Sequence, residues 1–388
     1  MENGEKTYQV QKFYAILSTI VFLTVIYLPL SNHLFHFSEK QEISKSEKRV
    51  LATKPKLDIH KLDPFPTAYE AYFNDHFIYR EKLLQLHTYI HFFWFKQSPL
   101  PEKVDLGKDS WLFYTEKERA VFEGKFKLSS IEIDKIMNEL NRRDSILQSM
   151  NIPFIILIAP TKAEIYSDQL PSYYRRTGKT LTQEVIENIQ SRTKIPVVYP
   201  KEALTKARKQ YQTYHQFDNH WNQLGAFFAY SELMQEVEKH FPNLKIKILK
   251  MENVELRKKI TAGGNLANMI GLDHLLKETN YSFEVKKQKS TEAPKQNYKP
   301  IPGFAYPDEY EVVSEINNSD LAKALIIRDS YINAMMPFLN ESFSKTSYIF
   351  DAWQYKLNED ILKNESPDIF ILEIYEPHIS NILDHIGR

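Results

Sequence analysis

Runs of apolar residues alternate with amphipathic stretches along most of this chain. Residues 153–160 and 324–327 are almost continuously apolar, which is typical of strands buried on both faces of a parallel sheet. Residues 131–150 carry apolar side chains at helical spacing and predict an amphipathic helix that leads into the first of these strands. A helix that feeds a buried strand indicates an α/β layered fold with right-handed crossovers.

The same patterns predict the other elements of the fold. Expected helices follow apolar spacings of three and four residues, and expected strands are short apolar runs that end at turn-forming residues. We predict helices over residues 181–190, beyond 222 and over 331–339, a strand, a turn and a second strand over 104–114, and strands at 195–199, 309–316, 343–350 and 369–374.

Two regions have a less regular pattern. A helix is expected to begin with Thr67 and Glu70 as a capping box and to run towards Trp94. Residues 285–303 are rich in lysine and proline and show no periodicity, so they predict an exposed loop.

The amino-terminal region contains one long apolar run. Residues 13–32 include no charged side chain, and roughly 20 such residues suffice for a helix to cross a bilayer. Lys6 and Lys12 precede the run and favour a cytoplasmic amino terminus. A cleaved signal peptide is the alternative, but the run is long for one and residues 31–36 offer no small-x-small cleavage site.

We therefore predict a single-pass protein of the cell membrane whose main domain lies outside the cytoplasm. The expected organisation is a cytoplasmic tail over residues 1–12, a transmembrane anchor over 13–32, a juxtamembrane linker over 33–62 and an extracytoplasmic domain over 63–388.

Composition excludes several classes of function. Fifty basic and fifty acidic residues cancel to a net charge of zero, which argues against a nucleic-acid partner. The chain has no cysteine, so disulfides, cysteine-based zinc sites and thiol chemistry are excluded. His87 and His91 are four residues apart, but no acidic residue lies between them as in zinc peptidases, and we predict no metal site.

A serine lies where the second buried strand ends. The apolar run stops at Arg328-Asp329-Ser330, which places Ser330 at a strand-to-helix turn. Ligands bind at the carboxyl ends of strands in open α/β sheets, and a helix start favours developing negative charge. Ser330 is therefore a candidate nucleophile. In the alternative interpretation, Asp329 and Ser330 only cap the following helix.

An acid and an imidazole occur together on the loop before the helix expected beyond residue 222. Asp218 and His220 are two residues apart, so in extended chain their side chains leave the same face. The carboxylate can then orient the imidazole, which is the base-and-orienter half of a serine triad. The alternative is an acidic first turn with an incidental histidine.

Two further residues are candidates by position. Lys162 follows the carboxyl end of the buried strand at 153–160 and either faces a site or is solvated. Asn265, in Gly263-Gly264-Asn265, begins a loop before a short helix. That loop would supply oxyanion donors or would be a glycine-rich turn.

The motif Asp218-Asn219-His220-Trp221-Asn222, followed later by Asp329-Ser330, resembles the DHHW proteins and the alginate O-acetyltransferase group of SGNH-hydrolase-like proteins. The resemblance covers roughly residues 45–380. It extends to several further blocks, at residues 73–77, 80–81, 107–113, 160–162, 170–171, 367–368 and 373.

The resemblance implies an SGNH-hydrolase-like parallel sheet flanked by helices, with a circularly permuted triad. Ser330 would be the nucleophile, His220 the general base and acid, and Asp218 the orienter. Arg328 stands where SGNH enzymes have glycine and would hold an anionic substrate group or pair with Asp329. The remaining candidates for substrate binding or the oxyanion hole are Lys162, Asn265 and Tyr331.

The resemblance further implies an O-acetyltransferase that modifies a cell-envelope or secreted polysaccharide through an acyl-enzyme. Its acceptor would be a polysaccharide or cell-wall glycan, its acyl donor a membrane-bound O-acyltransferase, and no cofactor would be needed. A carbohydrate esterase with the same triad is the chemical alternative. A non-catalytic glycan-binding or assembly scaffold is the alternative of another class.

Overall fold

A computed structural model of the chain describes residues 2–35, 50–58, 60, 62–77 and 80–386. It divides into two units, Met1–Phe95 and Lys96–Arg388. About half of the predicted linker, namely residues 36–49, 59 and 61, lies outside the described residues. Residues 64–94 group with the amino-terminal unit, whereas the extracytoplasmic domain was predicted to start at residue 63.

The amino-terminal unit is mostly helical in its described part, although residues 50–58 are not helical. Helix α1 (Glu2–Phe35) contains a segment, Gln9–Tyr27, that is long and apolar enough to cross a membrane. It overlaps the span predicted for residues 13–32. The other helical elements are α2 (Pro64–Asp75), α3 (Arg80–Tyr89) and a π-helical turn (Ile90–Trp94).

Two expectations for this unit concern side chains. The capping box at Thr67 is wrong, because α2 begins at Pro64 and proline fits the first turn of a helix. The rings of His87 and His91 lie 4.2 Å apart, centroid to centroid. The described part of the chain contains no group of three or more candidate metal ligands.

The carboxy-terminal unit alternates strands and helices as predicted. Its strands are β1 (Val104–Leu106), β2 (Leu112–Tyr114), β3 (Phe154–Ala159), β4 (Val197–Val198), β5 (Val254–Ala262), β6 (Lys277–Val285), β7 (Thr291–Glu292), β8 (Glu311–Glu315), β9 (Lys323–Arg328), β10 (Lys345–Phe350) and β11 (Ile369–Tyr375). Its α-helices are α4 (Glu116–Glu123), α5 (Ser130–Ser149), α6 (Lys162–Ile165), α7 (Leu181–Arg192), α8 (Lys201–Ala207), α9 (Gln223–His240), α10 (Asn265–Met269), α11 (Met336–Leu339) and α12 (Glu359–Glu365).

The central sheet has seven strands in the described residues, in the order β4-β3-β11-β9-β10-β8-β7. Five neighbouring strands are parallel to one another: β4, β3, β11, β9 and β10. Strand β8 is antiparallel to both β10 and β7. The predicted α/β fold is confirmed, with a sheet that is mixed rather than wholly parallel. Because the parallel strands point the same way, their carboxyl ends form one edge where loops converge.

Each face of the sheet is covered by helices. Alternate residues of the buried strands point to opposite faces, and full burial of one large apolar side chain contributes about 1.5–3 kcal/mol. One face packs under α9, with Leu157, Ile326, Ile371, Phe227 and Leu233. The other packs under α5 and α7, with Ile156, Ile327, Leu372, Ile136 and Val185.

One element was not predicted, and two local predictions were wrong. The β5–β6 hairpin was not predicted, because β5 is buried only at Val254 and lacks a buried face. The stretch after Asp329 is a 3-10 helix (Ser330–Ala334) followed by α11 rather than one α-helix over 331–339. Pro337 has no N–H to continue a helical ladder. Strand β7 lies inside the expected loop over 285–303.

Candidate active site

The turn after β9 presents the candidate nucleophile at the carboxyl edge of the sheet. Asp329 caps the 3-10 helix, with its Oδ1 accepting a hydrogen bond of 2.8 Å from the backbone N–H of Tyr331. The capping interpretation therefore holds for Asp329. It does not hold for Ser330, whose hydroxyl is directed to His220 instead.

The structure brings Ser330, His220 and Asp218 together in the order of a serine triad. His220 Nε2 lies 2.8 Å from Ser330 Oγ, and His220 Nδ1 lies 2.6 Å from Asp218 Oδ1. With the proton on Nδ1 donated to the carboxylate, Nε2 is free to accept the serine proton. This arrangement can activate a hydroxyl for nucleophilic attack.

The Asp218 carboxylate is held by more than the imidazole. Its Oδ1 also accepts from the backbone N–H of His220 at 3.0 Å, and its Oδ2 accepts from the backbone N–H of Asn265 at 2.6 Å. Burial alone would raise the pKa of Asp218, but these hydrogen bonds and the His220 charge hold that pKa well below its usual range. Asp218 therefore stays ionised and acceptor-only.

Gly264 lets the backbone approach Asp218 this closely. A Cβ atom at residue 264 would lie 2.5 Å from Asp218 Oδ2 and 2.7 Å from the Asp218 Cβ. No side chain fits that space. The glycine-rich turn therefore supports the acid of the triad, a role that the sequence interpretation missed.

The loop that carries His220 is tied to the nucleophile turn. The indole N–H of the buried Trp221 donates to the carbonyl of Tyr331 at 2.8 Å. Asn222 then caps α9, with its side chain accepting from the N–H of Gly225 at 3.0 Å. The residues after His220 thus fix where the loop ends and where the helix begins.

Lys162 does not face a substrate, which corrects one prediction. Its fully buried ammonium group donates to the carbonyls of His215 (3.1 Å), Gln216 (3.2 Å) and Asp218 (2.6 Å). An ammonium group has three N–H donors, and these carbonyls take all of them. Lys162 therefore positions the loop that carries Asp218 by donating to its backbone carbonyls.

Arg328 is also engaged within the protein. Its buried guanidinium donates to the Asp329 carbonyl (3.2 Å), the Asn333 side chain (2.8 Å) and the Glu309 carbonyl (3.0 Å), and lies 4.3 Å from the ring centroid of Phe350. The predicted ion pair with the Asp329 carboxylate does not form. Arg328 thus has a structural role, in place of the expected binding of an anionic substrate group or pairing with Asp329.

Tyr331 is a packing residue beneath the imidazole. Its ring lies 4.8 Å from that of His220 and stacks on Tyr375 at 4.4 Å, centroid to centroid. Its hydroxyl donates to the carbonyl of Asn219 at 2.9 Å, and its backbone N–H donates to the side chain of Asp329. It therefore has no free donor for an oxyanion.

Two groups have donors left near the site. The backbone N–H of Ser330 has no hydrogen-bond partner among the described residues. The exposed side chain of Asn265 makes one long contact of 3.4 Å from its Nδ2 to Asn219 Oδ1. These are the groups that can turn towards a developing negative charge.

A buried acidic pair lies behind the nucleophile turn. The Asp329 carboxylate accepts from the Tyr355 hydroxyl and the backbone N–H of Tyr375, each at 2.7 Å, and the Asp329 N–H donates to Glu373 Oε2 at 2.9 Å. Burial and the neighbouring Asp329 raise the pKa of Glu373 well above its ordinary value. A protonated Glu373 avoids two adjacent negative charges. No spacing pattern in the sequence pointed to Tyr355.

A family model for the SGNH hydrolase-like domain of the acetyltransferase AlgX matches residues 104–302, just over half of the 388-residue chain. The chain belongs to this family. Membership supports acetyl transfer as the class of activity. The matched range of the AlgX-type domain contains Asp218 and His220 and ends before Ser330.

Solved structures share the fold of this AlgX-type domain. Bacillus cereus PatB1 aligns with a TM-score of 0.52 and 19% identity, covering 71% of this chain and 96% of that chain. A DHHW family protein from Eubacterium siraeum aligns with a TM-score of 0.52 and 18% identity, covering 72% and 91%. No curated protein matches the sequence significantly.

Proposed function

We propose that the protein is an O-acetyltransferase that modifies a cell-envelope or secreted polysaccharide through an acetyl-Ser330 intermediate. The single observation that carries this proposal is the alignment of Ser330, His220 and Asp218, with contacts of 2.8 and 2.6 Å along the line of proton transfer. Membership in the AlgX-type family supports the acetyl group as the group transferred.

The first half-reaction acetylates the enzyme. Ser330 Oγ attacks the carbonyl carbon of an acetyl ester while His220 Nε2 takes the hydroxyl proton. The tetrahedral intermediate then collapses, the bond to the leaving oxygen breaks, and His220 returns the proton to that oxygen. Asp218 keeps the imidazole in the correct tautomer and stabilises its cationic form.

The second half-reaction transfers the acetyl group. A sugar hydroxyl gives its proton to His220 as its oxygen attacks the acetyl-Ser330 carbonyl carbon. Collapse breaks the bond to Ser330 Oγ, which regains the proton from His220. The products are an acetylated sugar and free serine, and water in place of the sugar would give hydrolysis.

The negative charge that develops on the carbonyl oxygen needs donors. The unpaired backbone N–H of Ser330 supplies one, and the Asn265 side chain is the candidate for a second. Removal of one such donor typically costs about 10²–10³ in kcat.

The proposed place of the reaction is the outer side of the cell membrane. Helix α1 would anchor the chain through its uncharged residues from 13 onwards, with Lys6 and Lys12 before them on the cytoplasmic side. The acyl donor would be a membrane-bound O-acyltransferase that delivers the acetyl group to the outer face. The catalytic unit itself requires no cofactor for these steps.

The proposal is tested with the full-length chain in detergent and 4-nitrophenyl acetate as donor. We expect Ser330→Ala to abolish ester cleavage, while Ser149→Ala, an exposed serine at the end of α5, leaves it unchanged. Equal cleavage by Ser330→Ala and the wild type would overturn the triad. Mass spectrometry of added oligosaccharides then detects acetylated sugar, and cleavage without acetylated sugar would identify an esterase.

A further inference from the structure

Four aromatic side chains cluster beside the nucleophile turn and form what we call the aromatic platform: Phe304, Tyr306, Phe350 and Trp353. The Phe304 ring centroid lies 5.5 Å from that of Phe350 and 5.0 Å from that of Trp353. The ring of Tyr306 is parallel to that of Phe350, at 6.2 Å and 5°. Phe350 is buried, yet Tyr306 is 51% and Trp353 41% exposed.

The platform lies next to Ser330 because β9 and β10 are parallel neighbours. Phe350, the last residue of β10, pairs with Arg328, the last residue of β9. Directly after it, the Asp351 N–H donates to the Arg328 carbonyl at 3.0 Å. Tyr355 then donates its hydroxyl to Asp329 at 2.7 Å.

Trp353 therefore sits on a short loop whose two ends are both fixed to the strand end that leads into the nucleophile. It lies two residues from Asp351 at one end and two residues from Tyr355 at the other. The two fixed ends keep the loop of Trp353 next to Arg328 and Asp329, the two residues that precede Ser330.

Packing alone does not account for the two exposed rings. Phe304 and Phe350 complete the core beneath, whereas Trp353 and Tyr306 leave large aromatic surface in water at the edge where ligands bind. The face of an aromatic ring carries negative charge density, and the C–H groups on one side of a sugar ring are weakly positive. Stacked sugars are therefore natural partners of such rings.

A small cavity beside Phe304 has a mixed lining of polar and apolar side chains. The cavity has a volume of about 120 Å³ and is lined, among others, by Asp351, Gln354, Lys356 and Asn358. At about 30 Å³ per water molecule it holds a sugar substituent rather than a whole ring. Aromatic surface with a few convergent polar groups is the usual composition of a small-ligand site.

We propose that the aromatic platform is the acceptor subsite, on which rings of the glycan stack against Trp353 and Tyr306 while a substituent contacts the polar groups of the cavity. This inference rests on the proposed transferase function. The stacked chain is held beside the nucleophile turn, so that one of its hydroxyls reaches acetyl-Ser330. The donor ester does not need the platform, which separates the two half-reactions experimentally.

The test uses the full-length chain and a panel of immobilised polysaccharides that includes peptidoglycan, chitin, cellulose and uronic acid polymers. We expect saturable binding to at least one of them, weakened about tenfold by Trp353→Ala and by Tyr306→Ala. Trp353→Phe, which keeps an aromatic face, should bind nearly as well as the wild type. Trp94→Ala removes a 73% exposed tryptophan of the other unit and is the matched control.

Cleavage of 4-nitrophenyl acetate by the same variants separates the possible failures. Wild-type cleavage by Trp353→Ala shows that the fold and the triad are intact, so its weakened glycan binding supports the subsite. Unchanged glycan binding by both alanine variants, or no binding to any polysaccharide by the wild type, overturns the subsite. Persistent cleavage by Ser330→Ala overturns the proposed function and leaves the binding result standing.

Discussion

His220 Nε2 lies 2.8 Å from Ser330 Oγ, although 110 residues of chain separate the two. The contact forms because the loop entering α9 and the turn after β9 meet at the carboxyl edge of one sheet. The bond from the Trp221 indole to the Tyr331 carbonyl joins the next residue of each segment, also at 2.8 Å. Two adjacent cross-links preorganise the base and the nucleophile before a substrate arrives.

The first prediction concerns the acid of the triad. Asp218→Asn should lower kcat for ester cleavage by about 10³-fold or more, because an amide favours the wrong imidazole tautomer and does not stabilise its cation. Single-turnover kinetics measure the loss of acylation. The control is Asp134→Asn, which changes an exposed acid on α5 and should leave kcat unchanged. Full activity in Asp218→Asn would remove this residue from the mechanism.

A second prediction uses the close approach of Gly264 to the same carboxylate. Gly264→Ala places a methyl group 2.5 Å from Asp218 Oδ2, so the acid or the turn must shift. We expect kcat to fall at least tenfold, since small misplacements of a catalytic group are costly. Gly178→Ala is matched, because its Cβ would meet nothing within 4 Å. Equal rates for both alanine variants would show that the turn relaxes freely.

The sequence predicted the layered fold because buried parallel strands leave a strong local pattern. Residues 153–160 and 324–327 are apolar without a break, and both are strands, β3 and β9. The hairpin β5–β6 has exposed residues on both faces of β5, so no periodicity marks it. Elements stabilised by partner strands rather than by a buried face are poorly visible in a sequence.

The candidate site was partly predictable for the same kind of reason. Ser330, His220 and Asp218 lie where a strand ends or a helix begins. Such positions can be recognised from the pattern of the neighbouring residues in the sequence. Lys162 and Arg328 also stand at strand ends, but their side chains donate within the protein, mainly to backbone carbonyls. Which way a long side chain turns depends on contacts from distant segments, which spacing does not reveal.

A third prediction tests the positioning role of Lys162. Lys162→Met keeps the volume of the side chain and leaves the carbonyls of His215 and Asp218 without a donor, whereas the Gln216 carbonyl still accepts from the N–H of Leu112. The expected loss of stability is on the order of 3 kcal/mol, since each buried unpaired polar group costs about 1–3 kcal/mol and water reaches some of them. Urea unfolding measures it, with Lys206→Met on the surface of α8 as control.

Activity of Lys162→Met separates a positioning role from substrate binding. Because the ammonium group contacts the loop and not the open site, kcat should fall as Asp218 moves, while KM for 4-nitrophenyl acetate changes little. If the variant were as stable as the wild type and only its KM were raised, Lys162 would be a substrate-binding residue and not a positioning residue.

The last prediction concerns Glu118, a 1% exposed acid of α4 whose Oε1 accepts a hydrogen bond from the Tyr375 hydroxyl. Burial raises the pKa of Glu118 from 4.5 to about 8. The folded chain thus binds a proton that the unfolded chain releases above pH 4.5. This contribution to stability is complete below pH 4.5 and is lost as the pH rises through about 8.

Glu118→Gln replaces the protonated acid by a neutral side chain that still accepts from Tyr375, so it removes this pH dependence. The melting temperature of the variant relative to the wild type should rise between pH 5 and pH 8.5, a window that follows from the shifted pKa. Glu102→Gln, an exposed acid, should follow the wild type at every pH. A constant difference for Glu118→Gln would mean that the buried acid is ionised in the folded chain, with Lys162 as the nearby cation that stabilises it.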